Sequence, residues 1–231
     1  MQMKNFNVYD EENMAVKDAY ALLTANVHFS SKKEEPIKNV TICSCEPGAG
    51  KTTTAINLAI SMARSGWKIL LVDADIRKPG NFKRLNNGTS LGLSNIIVDG
   101  INLQDALTAT NIANLSYLSC GKSVHNAIEM LCSVKFNQFM AEIRKQFDFV
   151  LFDTPALSTV IDGALVASKT DGVILIAEIG TTKLTALNRA KQQLEKADAN
   201  IMGVVLTRVK KRDYVKYVES YNYFERFNRA T

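Results

Sequence analysis

The residues whose types and spacing most clearly indicate chemistry lie between positions 44 and 54, where the chain reads SCEPGAGKTTT after an apolar strand. Gly48 and Gly50 allow the backbone to curl, so that successive N–H groups point at phosphate oxygens. The helix predicted to follow adds the positive end of its dipole. Lys51 brings a mobile charge to the β- and γ-phosphates, and the Thr52 hydroxyl can ligate Mg²⁺. The sequence therefore predicts a phosphate loop that binds ATP, formed by Pro47, Gly48, Ala49, Gly50, Lys51, Thr52 and Thr53.

This loop departs from the usual pattern G-x-x-x-x-G-K-[ST] at its first glycine, where the chain has Cys45. A glycine-containing turn with a chance lysine is the alternative interpretation of the motif alone. The loop stands between a predicted strand and a predicted helix, which is the arrangement that a phosphate loop requires. This context favours nucleotide binding.

Two predicted strands end in carboxylates. The segment ILLVDADIR ends in Asp73, Asp75 and Arg77, and the segment VLFDTP contains Asp153. In a parallel sheet, ligands bind beyond the carboxyl ends of the strands, so all three aspartates fall on the edge that carries the phosphate loop. Carboxylates there can hold Mg²⁺, and one of them can accept a proton from a nucleophile. The alternative role for an aspartate at a strand end is a helix cap or a turn.

The elements that must position these residues alternate along the chain. Six apolar segments are predicted as strands, at 40–44, 68–73, 115–119, 149–153, 172–177 and 201–206. Helical periodicity predicts helices within 16–27 and at 52–65, 134–146, 161–168 and 184–197. This alternation predicts an α/β fold, a P-loop NTPase three-layer sandwich whose mostly parallel sheet has helices on both faces. We interpret Asp162 as a helix cap and Asp171 as a turn residue. The chain divides into an N-terminal helical segment at 1–38, an ATP-binding domain at 39–212 and a tail at 213–231.

The composition supports one large core. Of 231 residues, 46% are hydrophobic and 22% are charged, so disorder of the body of the chain is not expected. Four cysteines without C-x-x-C spacing and two histidines argue against a zinc site and fit a reducing compartment. No signal peptide or membrane-spanning apolar run is visible, so we expect a cytoplasmic protein. The net charge of +5 includes a basic cluster that could bind an acidic lipid, nucleic acid or protein, or form a solvated loop: Arg208, Lys210, Lys211 and Arg212.

The motifs PGAGKT, VDADIRKP and VLFDTP, in this order, resemble those of the bacterial tyrosine kinases, P-loop kinases that regulate capsule and exopolysaccharide synthesis and export. The likeness extends over residues from about 14 to 223. Partition and division-site ATPases of the ParA and MinD type carry a second lysine early in the loop, where this chain has Glu46. The resemblance therefore favours a protein-tyrosine kinase. The alternatives are an ATPase that positions partners without tyrosine transfer and a nucleotide-binding switch with negligible turnover.

The resemblance implies roles for the main site residues, with ATP and Mg²⁺ as cofactors. Lys51 and Thr52 would hold the ATP phosphates and Mg²⁺. Asp75 and Asp153 would order Mg²⁺, so that the predicted metal ligands are Thr52 and these two carboxylates. Asp73 would accept the proton of the incoming tyrosine hydroxyl.

The resemblance also implies roles for two arginines, and it has departures near residue 207 and in the first helix. Arg77 would steady the transferred phosphoryl group or an acidic substrate tail. Arg208 would lie against the base, beside Thr207, where the family usually has asparagine. The family motif E-x-x-R-x-x-R, which builds a ring of subunits, lacks both arginines here. A guanidinium-to-carboxylate contact cannot form without its guanidinium, which argues against a ring of the familiar kind; the matching positions are Asp18, Ala21 and Thr24.

The C-terminal tail is rich in aromatic and basic residues, and its tyrosines are Tyr214, Tyr217, Tyr221 and Tyr223. In the family, a C-terminal tyrosine cluster is phosphorylated in trans by a neighbouring subunit, so the resemblance implies that these residues are phosphoacceptors. Each phosphate would add about −1.5 to −2 charge to a basic segment. The alternative is a membrane-surface helix, because Tyr214, Tyr217, Val218 and Tyr221 have helical spacing among lysines and arginines.

The resemblance also implies partners. These are a separate transmembrane activator protein, neighbouring kinase subunits, and polysaccharide-synthesis enzymes as further substrates. We expect no nucleic-acid partner. The protein would then be cytoplasmic and peripheral to the inner face of the cell membrane, held there through its activator.

Overall fold

The computed structural model describes residues 13–30, 36–77 and 91–210. Within these ranges the strands are β1 (Asn39–Ser44), β2 (Ile69–Asp73), β3 (Leu107–Ala109), β4 (Leu115–Leu118), β5 (Phe149–Asp153), β6 (Gly172–Glu178) and β7 (Ile201–Thr207). The helices are α1 (Met14–Phe29), α2 (Lys51–Arg64), α3 (Leu103–Ala106), α4 (Ala127–Cys132), α5 (Val134–Gln146), α6 (Asp162–Ala167) and α7 (Leu184–Lys196). A π-helical turn at Asn95–Asp99 precedes α3.

The strands form one sheet in the order β3-β4-β2-β5-β1-β6-β7. All neighbouring strands are parallel except β3 and β4. Because β2, β5 and β1 are adjacent, the loops that follow them leave the same edge of the sheet side by side. Asp73 at the end of β2 is paired in register with Asp153 at the end of β5. The mostly parallel sheet is confirmed, and the candidate site residues converge at its centre.

Helices cover both faces of the sheet. Ile69 and Leu71 of β2 pack on the side of α1 and α2, whereas Leu70 and Val72 pack with α4 and α5 on the opposite side. Successive side chains of a strand point to opposite faces, so a strand covered on both sides is a continuous apolar run. Helices α6 and α7 complete the second side. The three-layer sandwich is confirmed.

The elements that the sequence pattern missed are short. The helices α3 and α4 have four and six residues, and the antiparallel edge strand β3 has three. These lengths contain too few repeats of either periodicity to be recognised. Every predicted strand and helix is present, with its ends within two residues of the prediction. The division of the chain at residues 38 and 212 stays a prediction. Helix α1 packs on α2, where the Thr24 and Ser61 hydroxyls are hydrogen-bonded at 2.9 Å.

Candidate active site

The phosphate loop joins β1 to α2 with two glycines in left-handed conformation. Gly48 has φ 81° and Gly50 has φ 96°, a region that favours glycine because it has no Cβ. Gly50 is the N-cap of α2, and no side chain caps the helix there. The first N–H groups of a helix have no partner within the helix, so this end of α2 offers its donors and its positive dipole end to an anion.

Cys45 occupies the place of the usual first glycine without strain. It does not adopt a positive φ, so the missing glycine is not needed for the backbone path. The side chain is buried, and the carbonyl of Cys45 accepts a hydrogen bond from Ser158 N at 3.0 Å. One residue earlier, Ser44 O accepts from Leu157 N at 2.9 Å. The segment that follows β5 therefore holds the start of the loop in place.

The end of α2 nearest the loop is bonded to the end of β5. The Thr52 hydroxyl donates to Asp153 Oδ2 at 2.6 Å. Among the described residues, the other oxygen, Oδ1, is buried without a hydrogen-bond partner. Burial raises the pKa of Asp153 to about 6, although the Thr52 bond and the charge of Lys51 act in the opposite direction. A buried carboxylate oxygen with an open coordination position is suited to a cation.

Asp73 lies beside Asp153 and is almost fully buried. Its Oδ1 accepts a hydrogen bond from Asp75 N at 2.9 Å. Burial, together with the negative charge of Asp153, raises the pKa of Asp73 well above its usual value. A carboxylate whose pKa is raised is a stronger proton acceptor than an ordinary aspartate.

The donors present fit Mg²⁺ held together with a nucleotide. No group of three or more His, Cys, Asp or Glu side chains forms a ready-made metal cage in the part of the chain that the structure describes. Mg²⁺ is commonly bound by one or two carboxylates plus substrate phosphates. Asp153 offers its open oxygen, Thr52 its hydroxyl, and the half-buried Asp75 interacts electrostatically with Asp153. These residues would hold the ion.

The Arg77 side chain is bound to a carboxylate of this chain. Its Nε and Nη2 donate to Asp162 Oδ2 and Oδ1 at 2.6 and 2.9 Å. The interpretation of Asp162 as a helix cap is wrong, because Ile161 occupies the N-cap position of α6 and the Asp162 carboxylate is bound to Arg77. The signal that could have indicated this partner is an aspartate in a first helical turn on the same edge of the sheet as Arg77.

The end of β7 contacts the phosphate loop from the other side. The Thr207 hydroxyl donates to Ala49 O at 2.7 Å. Arg208, with φ 55°, forms an ion pair with Glu178 and donates from Nη2 to Gly48 O at 3.4 Å. The hydroxyl of Thr207 is thus used to hold the loop, and the contact of Arg208 with a base stays a prediction.

Some of the predicted residues lie outside the region that carries structural detail. The four tail tyrosines, Lys211 and Arg212 are outside the described residues.

The remaining predicted loop residues are accessible to a ligand. Pro47 and Thr53 are exposed on the loop, and Lys51 is half-buried at the start of α2. No described helix combines the length and the apolar character needed to cross a membrane.

Known proteins resemble this chain over most of its length. A family model described as an AAA domain matches residues 37–205. Tyrosine-protein kinase CpsD of Streptococcus agalactiae is 34% identical over 84% of this chain and 83% of the relative. The solved structure of the chimerical protein CapA2B2 is 28% identical, with a TM-score of 0.79, over 89% of this chain and 94% of that chain.

A more distant match indicates the fold alone. The septum site-determining protein MinD of Pyrococcus horikoshii matches with a TM-score of 0.60 and 23% identity, over 76% of this chain and 73% of that chain. That level of identity shows a shared P-loop NTPase fold alone, and the alternative of a positioning ATPase is not favoured. Because the family model covers most of the chain, and a kinase 34% identical matches 84% of it, the chain belongs to the bacterial tyrosine-protein kinase family.

Proposed function

We propose that this protein is an ATP- and Mg²⁺-dependent protein-tyrosine kinase that phosphorylates the C-terminal tyrosines of a neighbouring subunit and thereby regulates capsular or exopolysaccharide synthesis and export. The observation that carries the proposal is the bond between Thr52 and Asp153, beside an open carboxylate oxygen at the mouth of a phosphate loop. The relatives named as tyrosine-protein kinases support the choice of reaction.

Different residues of the site would bind the ATP phosphates, hold Mg²⁺ and accept the proton. The N–H groups of the loop and the start of α2, with Lys51, would bind the ATP phosphates. Thr52, Asp75 and Asp153 would hold Mg²⁺, which neutralises charge on the phosphates when bound. Asp73 would accept the proton of the tyrosine hydroxyl, because its raised pKa favours proton uptake.

Residues at the rim would orient the substrates. Arg77 would face the transferred phosphoryl group, and Arg208 would lie against the base. The phosphoacceptors would be the tail tyrosines, Tyr214, Tyr217, Tyr221 and Tyr223. These side chains follow β7, whose last residue contacts the phosphate loop of its own subunit, and a neighbouring subunit would phosphorylate them.

The partners would then be a separate transmembrane activator, neighbouring kinase subunits and polysaccharide-synthesis enzymes. The activator would hold the protein at the inner face of the cell membrane. Ala21 and Thr24 of α1 stand where the family has its two ring-forming arginines, so trans phosphorylation would depend on other subunit contacts.

Phosphosite mapping by mass spectrometry tests this function. The full chain is incubated with ATP and Mg²⁺, with and without a candidate activator, as wild type, Lys51→Met and Lys196→Met. Lys196 is an exposed lysine at the end of α7, away from the phosphate loop. We expect phosphate on the tail tyrosines of wild type and Lys196→Met, and none on Lys51→Met.

Three outcomes would contradict the proposal. An unmodified wild-type tail in the presence of activator, together with release of free phosphate, would identify a positioning ATPase. An unmodified tail with tight ATP binding and negligible turnover would identify a nucleotide switch. A Lys51→Met protein that keeps full tail phosphorylation would exclude the phosphate loop as the site of transfer.

A further inference from the structure

The ion pair between Arg77 and Asp162 joins two elements at the rim of the candidate active site. Arg77 lies two residues after Asp75, beyond the end of β2, and Asp162 is the first residue of α6. Both carboxylate oxygens are taken by one guanidinium, at 2.6 and 2.9 Å. The Asp162 side chain is fully buried, whereas about a third of the Arg77 side chain, 34%, is exposed. The carboxylate of the ion pair is therefore buried in the protein, whereas the guanidinium is partly exposed to solvent.

The chemistry of the two side chains makes this orientation rigid. A buried carboxylate is costly unless it is paired and hydrogen-bonded. Arginine satisfies both oxygens at once because its planar fork matches a carboxylate, which a lysine ammonium cannot do. The contact uses Nε–H and one N–H of Nη2, so Asp162 leaves three of the five guanidinium donors, two on Nη1 and one on Nη2, for another acceptor.

The backbone around Arg77 is also fixed. Val124 N donates to Ile76 O at 3.2 Å, and the Ser123 hydroxyl donates to Arg77 O at 3.4 Å. The nearby charge of Asp75 attracts the same guanidinium. Arg77 thus stands between a carboxylate at the metal-binding edge and a buried carboxylate on α6, with its main chain held by the loop before α4.

We infer that Asp162 is a positioning residue for phosphoryl transfer: it fixes the guanidinium of Arg77 so that the outer edge donates to the oxygens of the phosphoryl group in transit. The inference rests on the proposed kinase function. Charge that develops on the transferred phosphoryl is stabilised most by donors that need no reorganisation, and the bond to Asp162 supplies that order before substrate arrives.

A purely structural brace between β2 and α6 makes a different prediction from a positioning residue. A brace would lower stability, nucleotide affinity and turnover together when broken. A positioning residue changes kcat while the nucleotide Kd stays unchanged, because the loop and α2 bind the ground-state phosphates without Arg77. Its effect also depends on Arg77, so the two substitutions are not additive.

The test uses the full chain with its activator, and measures kcat and KM for tail phosphorylation and the Kd of a fluorescent ATP analogue. Asp162→Asn keeps the shape of the side chain but loses the charge. We expect its kcat to fall about 10- to 100-fold, the range for losing a charged hydrogen bond, while the nucleotide Kd changes less than about twofold. Arg77→Lys keeps the charge but loses the fork, and we expect a similar fall.

The double variant Arg77→Lys with Asp162→Asn decides between the two roles. We expect it to be no slower than Arg77→Lys alone within about twofold, because Asp162 has nothing left to orient. Arg144→Lys is the matched control. Arg144 pairs with Asp171 at the opposite edge of the sheet, and its kcat should stay within about twofold of wild type.

Several results would overturn the inference while leaving the proposed function intact. These are wild-type kcat in Arg77→Lys, wild-type kcat in a folded Asp162→Asn, additive losses in the double variant, or a nucleotide Kd that weakens in parallel with kcat. Arg77→Lys retains a cation beside the buried carboxylate, so it keeps the test decisive if Asp162→Asn does not fold. Absence of tail phosphorylation in the wild type would remove the proposed function and the inference with it.

Discussion

Asp153→Asn should stabilise the protein when nucleotide and metal are absent. The folded protein raises the pKa of Asp153 from 3.8 to about 6, mainly by burial. A shift of about 2 units corresponds to about 3 kcal/mol at roughly 1.4 kcal/mol per unit. Above pH 6 the folded protein carries this cost in full, because the carboxylate is then ionised in a buried site without bound metal. Asparagine removes the charge and can still accept the hydrogen bond from Thr52.

The raised pKa of Asp153 determines how the free energy of unfolding changes with pH. Between about pH 4 and pH 6 the folded state binds more protons at Asp153 than the unfolded state does. The free energy of unfolding of the wild type therefore falls as pH rises through this window. The variant lacks this contribution. We expect its advantage to be near zero at about pH 4 and to reach about 3 kcal/mol above pH 6. The charge of Asp153 also raises the pKa of the neighbouring Asp73. Its removal makes ionised Asp73 less unfavourable, which further stabilises the variant relative to the wild type.

The assay is urea unfolding in EDTA, without nucleotide, from pH 4.5 to pH 8. The fluorescence of the single tryptophan reports unfolding, because Trp67 packs 6.0 Å from the ring of Phe149. Asp171→Asn is the control with the opposite sign. Asp171 accepts hydrogen bonds from the N–H groups of Lys38 and Asn39 at 2.8 Å, so loss of its charge should destabilise the fold.

The reasoning would be refuted by an Asp153→Asn protein that is less stable than wild type at pH 7.5 in EDTA, or by an advantage that does not change with pH. Adding ATP and Mg²⁺ should reverse the order. A ligand at 1,000 times its Kd stabilises the protein that binds it by about 4.1 kcal/mol, which exceeds the variant's advantage of about 3 kcal/mol. The wild type would gain this amount, and the variant, without the carboxylate that we propose as a metal ligand, would gain much less.

Three further outcomes follow from the geometry. Thr207→Val should raise the nucleotide Kd by up to about tenfold, since it removes one hydrogen bond to the phosphate loop; Thr207→Ser should stay near wild type by calorimetric titration. Gly92→Ala should destabilise by about 2–3 kcal/mol in urea unfolding, because its Cβ would lie 2.2 Å from Ser119 O. Gly203→Ala, where a Cβ meets nothing within 4 Å, should be neutral or slightly stabilising. Of the four cysteines, only the exposed Cys132 should react rapidly with a thiol reagent in the folded protein, and all four after unfolding.

The sheet was predictable because its buried strands are unbroken apolar runs, and the order along the chain places their carboxyl ends at one edge. Asp73 and Asp153 were therefore expected to be near each other, and they are paired in register. The antiparallel strand β3 was not predictable, since it has three residues and pairs only at the edge of the sheet. Its position depends on tertiary packing that no local periodicity contains.

The partners of site residues were harder to predict than their positions. The resemblance predicts that Arg77 lies near the transferred phosphoryl group or an acidic substrate tail and that Thr207 lies near the base, but their hydrogen bonds depend on side-chain directions. Arg77 binds a carboxylate 85 residues away along the chain. Thr207 reaches the loop carbonyl of Ala49, 158 residues away. Pairings at such separation follow from the complete fold. The place of Asp162 in a first helical turn at this edge of the sheet was a signal for Arg77, but the motif around Thr207 contains none.

The carboxylates themselves separate into two classes by how well they are satisfied. Asp162 has both oxygens bound by Arg77, and Asp171 is bound by two N–H groups and an arginine. Such groups fix geometry and leave no position for a ligand. Asp153 has one oxygen without a partner among the described residues, and Asp73 is desolvated beside it. A fold tolerates a buried charge that lacks full hydrogen bonding where a cation or a proton completes the site, so we expect the chemistry to occur at Asp153 and at the desolvated Asp73 beside it.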